Sequence, residues 1–133
     1  MSRKPTWEDA DLLLRIEQIA AHPQTRAALD WFERTAGEAG EMTAHRIPRE
    51  AREFEHVQRL LELYELIGTL ARQELISEPL VQHRWPSHAL WQFLAPTIDR
   101  ERKSVGPFVG ENFEWLAQRS RQGAPKPAAR QPR

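Results

Sequence analysis

Between Phe54 and Ala71 the apolar residues fall at intervals of three and four: Phe54, Val57, Leu60, Leu61, Tyr64, Ile67, Gly68 and Ala71. That period belongs to an α-helix and excludes a strand, whose faces alternate every two residues. Leu63, Leu66 and Leu70 widen the stripe over much of the circumference, so the helix predicted here is central, with neighbours on more than one side. Gly68 inside it costs about 1 kcal/mol relative to alanine. A close crossing by another helix is the usual physical reason to keep such a glycine. Pro48 occupies a helix-start position, with Glu50 and Glu53 near the positive end of the dipole, which predicts that the helix begins there.

Helical spacing recurs along the rest of the chain. Thr6 followed by Asp9 resembles a capping box with the shorter acid. Leu12, Leu13, Ile16, Ile19 and Ala20 then predict a first helix, ending near Ala21 because Pro23 disfavours helical geometry at His22. A second helix starts at Pro23, with Ala27, Ala28, Trp31 and Phe32 on its apolar side and Thr25, Arg26, Asp30, Glu33 and Arg34 facing outward. Gly37 and Gly40 end it, and Gly37 to Arg46 reads as a loop. Ser77 or Glu78, with Pro79 in the first turn, opens a short helix reaching Trp85. Ser87 is expected to cap the next one, which carries Leu90, Trp91, Phe93, Leu94 and Ile98. Pro96 predicts a kink or break inside it. A last helix runs from about Glu111 to Arg121 and presents Phe113, Trp115 and Leu116. There is no sustained strand alternation, internal repeat or heptad. The fold class is all-α: a compact bundle of five to six helices, two of them long and antiparallel, packed by shorter C-terminal ones.

Charge divides the chain. The 133 residues carry 19 basic and 19 acidic side chains. From Arg119 onward stand Arg119, Arg121, Lys126, Arg130 and Arg133 and no acid, which leaves a formal −5 on the rest. Pro125, Pro127, Pro132 and Gly123 accompany the basic residues. Such a segment cannot bury enough apolar area to offset its ordering entropy. The expected organisation is one helical domain over residues 1–121 and a disordered basic tail over 122–133. With no cysteine, disulfides and thiolate metal sites are excluded. No apolar run approaches the roughly 18 residues of a membrane-spanning helix, and the N-terminus has no apolar signal region. A cytoplasmic location is the expectation.

The candidates for chemistry are few. His22, His45, His56, His83 and His88 form no i, i+4 ligand pair and no His-Glu-x-x-His. His83 and His88 flank Trp85-Pro86 and could meet across that turn, but they read first as surface residues. Glu55, Glu62 and Glu65 lie on the third helix without the Glu-x-x-His partners of a bundle metal site. Glu65 adjoins Tyr64, and a buried carboxylate needs a partner. Arg100 or Arg102 is the expected one, in a structural ion pair. Gly37 and Gly40 lack phosphate-loop spacing, so no cofactor is expected. A basic tail can give weak, salt-sensitive phosphate affinity, but the acidic body and a pI of about 7.0 argue against nucleic acid. Four tryptophans, Trp31, Trp85, Trp91 and Trp115, fall within core patterns. Trp7, in the first helical turn, and Phe108-Val109, in the last loop, are placed to anchor a partner.

One ordered set of segments carries a family resemblance: Leu63-Tyr64-Glu65-Leu66-Ile67-Gly68, Leu75-Ile76-Ser77, Trp85, Trp91-Gln92-Phe93-Leu94-Ala95-Pro96, Arg100-Glu101-Arg102 and Asn112-Phe113-Glu114-Trp115-Leu116. From about Leu61 to Arg119 the chain resembles the bacterial "domain of unknown function 4760" family. The resemblance implies a helical fold, no established activity and no catalytic residues to carry over. Many similar members have an N-terminal membrane helix, whose pattern is missing here. The reading of the sequence is therefore a non-enzymatic helical interaction module, forming a homodimer or binding a protein partner. The alternatives are a small metal-dependent or acid/base enzyme built on Glu65, Arg100 and a histidine, and a peripheral binder of nucleic acid or anionic membrane through the tail.

Overall fold

The computed structural model describes residues 3–38 and 46–123. Among these, six helices and no strands are found: α1 (Trp7–Ala20), α2 (Pro23–Glu38), α3 (Phe54–Arg72), α4 (Glu78–Arg84), α5 (His88–Ser104) and α6 (Glu111–Gly123). Residues 39–45 of the expected loop and the tail from 124 lie outside the described residues. Gln122 and Gly123, assigned to the tail from sequence, still belong to α6.

Local chemistry sets most helix ends. Thr6 caps α1 in a full capping box: its side chain accepts from Asp9 N at 3.2 Å, and the Asp9 carboxylate accepts from Thr6 N at 2.7 Å. Pro23 opens α2, where its missing N–H costs nothing. α3 ends in a Schellman motif, with Glu74 N–H on the Ala71 carbonyl and Leu75 N–H on that of Leu70. Glu74 occupies the left-handed position at φ 61°, where glycine is usual. The Ser77 hydroxyl caps α4 by accepting from Leu80 N at 3.4 Å.

Four local expectations are corrected. α3 begins at Phe54, not Pro48. Residues 48–53 form successive i→i+3 turns instead, because the segment Arg49-Glu50-Ala51-Arg52-Glu53 has no large apolar side chain to bury. Ser87 stands at the N-cap of α5 in αR geometry, and its buried hydroxyl makes no cap hydrogen bond. α5 continues unbroken through Pro96. Its neighbours Phe93, Leu94, Thr97 and Ile98 are all buried, which offsets the lost backbone bond. On α2, Thr25 and Leu29 face inward with Ala28, whereas Ala27 faces solvent. The i, i+3, i+4, i+7 set is Thr25, Ala28, Leu29 and Phe32, one small polar residue included.

α3 is the centre of the fold, contacting α6, α2, α4 and α1. Its inner residues Val57, Leu60, Leu63, Tyr64, Ile67 and Ala71 are buried. Aromatic rings join the layers: Tyr64 lies 5.2 Å from Phe113 and 6.0 Å from Trp85, Trp91 meets Phe113 at 5.1 Å, and Phe93 receives Trp31 and Phe32. Burial pushes the Tyr64 hydroxyl above its ordinary range. α6 crosses α3 at Gly68, where a Cβ would stand 2.3 Å from the Asn112 carbonyl oxygen and 2.6 Å from its carbon. These are backbone atoms, so the helices must separate to admit a methyl group. Gly68→Ala is expected to lower stability by about 1–3 kcal/mol, the cost of overpacking, despite the better helix propensity of alanine. Urea unfolding of the variant measures this, and an unchanged or raised midpoint would contradict it.

Candidate functional site

Two of the acidic residues, Glu65 and Asp9, are occupied in holding helices together, whereas Glu55 and Glu62, with His56, line an open cavity on the outer side of α3. Glu65 projects from α3 one turn before Gly68, on the same face. Its carboxylate accepts from Asn112 N and Phe113 N at 3.0 Å and from Asn112 Nδ2 at 2.7 Å. These N–H groups are in the first turn of α6 and have no partner within their own helix. A charge from one helix thus caps the start of another, where the dipole also favours it. This replaces the expected ion pair. Arg102 donates to the Val109 carbonyl at 2.7 Å and to Glu114 at 2.9 Å, and lies over the Trp91 ring. Arg100 pairs with Glu101 at 3.3 Å and lies over Phe54. Two positions apart on α5, the two arginines point to different sides, and Glu65 takes its donors from backbone.

Asp9 plays the same part at the other end. It is 1% exposed. Its carboxylate receives both guanidinium nitrogens of Arg3, at 2.5 and 2.7 Å, the Thr6 backbone, and Ser77 N at 2.8 Å. One side chain therefore joins the N-terminal arm, the cap of α1 and the entry to α4. The Arg3 guanidinium, reinforced by the Thr6 and Ser77 N–H donors, holds the carboxyl well below the usual carboxylate range. Likewise, Arg49 holds Glu101 below its ordinary value and ties residues 46–53 to α5.

The histidines do not gather around Glu65. His56 stacks on Trp31 at 5.3 Å, His22 accepts from Gln24 N, His83 is exposed and His88 half-buried. His45 lies outside the described residues. Among those described, no group of three or more His, Asp or Glu could hold a metal ion.

Several large apolar side chains face solvent. Trp7 is 89% exposed, and Leu14, two turns later on α1, is 62% exposed. Phe108 is 59% exposed in the turn before α6, whereas Val109 beside it packs against the core. Ile19, placed with the inner stripe from sequence, is exposed. Leu14 was not singled out from sequence, although its seven-residue spacing from Trp7 puts the two on one face.

These features define an all-α domain in which acidic side chains lock helix starts. Its sequence matches the family described as "Domain of unknown function (DUF4760)" over residues 5–120, and the chain belongs to that family. The match extends the resemblance seen from Leu61 back through α1, taking in the Thr6–Asp9 box. No curated protein and no solved structure matches the chain. Among the described residues, no helix is long and apolar enough to cross a membrane.

The Asp9 cluster predicts a pH dependence. An unfolded aspartate titrates near 3.9, and the folded carboxyl lower. Its contribution is complete above about pH 4 and is lost as pH falls further towards the folded value. Asp9→Asn should cost about 1.5–3 kcal/mol at pH 7, and the gap from wild type should narrow steadily below about pH 4. Thermal unfolding of both proteins over that range measures it; a constant gap would contradict it.

Proposed function

We propose that this domain acts by docking and not by catalysis, and that its partner is a second copy of the chain, held through the outer face of α1. The observation that carries this reading is the exposed stripe of Trp7, Asp11, Leu14, Arg15, Gln18 and Ile19. The helix buries Asp9, Ile16 and Ala20 on its opposite side. Trp7 and Leu14, seven residues apart, lie within about 20° of each other around the axis. A tryptophan in this position adds almost nothing to the fold, yet burying one removes about 150–250 Å² from water and is a common centre of binding energy.

The charges favour self-pairing. Asp11 and Arg15 meet within one chain at 3.5 Å, and both side chains are about two-thirds exposed. When two α1 helices run antiparallel about a twofold axis at Leu13, Asp11 of each lies opposite Arg15 of the other. Trp7 then lies level with Ile19, on the other margin of the seam. The same patch serves both copies, as an isologous contact requires.

Sedimentation equilibrium of the full chain, from low micromolar to several hundred micromolar, tests this. Wild type is expected to dimerise with concentration, and Trp7→Ala or Leu14→Lys to stay monomeric. Both variants should remain within about 0.5 kcal/mol of wild-type stability, as surface changes do. A wild-type protein that is monomeric throughout, or variants that dimerise equally well, would overturn the reading.

A further inference from the structure

A second feature stands apart from the α1 face. Where the end of α3, the entry to α4 and the outer side of α6 meet, there is a solvent-open cavity of about 210 Å³. Arg3, Arg72, Arg119, Glu74, Glu78 and Trp115 are among its lining residues. Two guanidiniums lie against one ring: that of Arg119 is 5.0 Å from the Trp115 centroid, and that of Arg72 is 6.0 Å away.

The donors in this cavity are unevenly paired. Arg3 is neutralised by Asp9 behind it, and Arg119 donates through Nε to Glu78 at 2.8 Å. Among the described residues, the terminal Nη groups of Arg119 meet no acceptor. Among the described residues Arg72 makes no ion pair, and its hydrogen bond is a 3.3 Å contact to the neutral Asn112 side chain. The Nη donors of Arg119 and the Nε and Nη2 donors of Arg72 thus have no acceptor among the described residues. Planar forks of this kind suit oxyanions with several acceptor oxygens. Glu74, also in the lining, balances Arg72 in formal charge, so the two arginines offer donors and not a net positive field.

We propose that this cavity binds a single phosphate group, bridged between Arg72 and Arg119 beside Trp115. A phosphate has enough oxygens to serve both forks at once. The volume lies below the roughly 300–1,000 Å³ of pockets that enclose a drug-sized ligand, so the site holds a head group and not a whole nucleotide. The source of the phosphate is either the free ion or the monoester end of a larger molecule.

The test is a ¹H–¹⁵N NMR titration of the full chain with inorganic phosphate, and separately with phenyl phosphate, ionic strength being held constant with chloride. The Arg119 Nε–H and Trp115 indole signals are expected to move on one saturating curve, while the buried Trp31 indole stays still. Arg72→Gln, a change at an exposed side chain, should weaken binding at least five-fold with an unchanged melting temperature. Arg119→Gln, which also removes the ion pair to Glu78, should weaken binding likewise and serves as the second variant. Tighter binding of phenyl phosphate identifies a monoester end, and tighter binding of the inorganic ion identifies the free anion. Shifts that fail to saturate, or folded variants that titrate like wild type, would overturn the proposal.

Discussion

The crossing of α6 over α3 is the constraint on which the other contacts depend. Within one turn of α3, Glu65 supplies a carboxylate for the first N–H groups of α6, and Gly68 removes the side chain that would hold that helix away. Tyr64 packs on Phe113 beside them. The two requirements are coupled: the backbone of Asn112 must come close enough to be capped, and only glycine permits the approach. Once α6 is seated, its other contacts follow. Glu114 meets Arg102 on α5, Arg119 meets Glu78 on α4, and the Leu116 carbonyl accepts from Gln82.

Asp9 repeats this logic across α1 and α4. In both cases an acid from one helix satisfies donors at the start of another, so local helix ends become tertiary links. The family segments acquire a physical meaning in this way. The Tyr64-Glu65 to Gly68 stretch and the Asn112-Phe113 pair are far apart in sequence but form one joint. That joint accounts for residue types that otherwise resemble a catalytic pairing of Glu65 with an arginine. The groups left over lie elsewhere: the outer stripe of α1 and the stacked arginines around Trp115. The first carries the docking proposal and the second the phosphate proposal.

Helix type, order and most boundaries were legible in the sequence because they rest on short-range chemistry. The Thr6 capping box, Pro23, Ser77-Pro79 and the three-four spacing of α3 act within a few residues. Where the reading failed, the determinant was burial. Pro48 looked like a helix start, but the helix waits for Phe54, the first side chain with a core to enter. Pro96 looked like a kink or a break, and its buried neighbours keep α5 continuous. Thr25 looked outward, yet the geometry of α2 turns it in.

The sequence by itself therefore determined an all-α chain with a central third helix, and marked Gly68, Glu65 and Trp7 as residues in need of an explanation. Only the tertiary structure decided what those explanations were. It gave Glu65 the backbone of α6 in place of Arg100 or Arg102, and left Trp7 in solvent with Leu14. It also gathered Arg72 and Arg119 on one tryptophan. The reason is physical: a helix period reports which residues share a face, but the donors that satisfy a carboxylate come from whichever element crosses that face. Here that element lies more than forty residues away in the chain.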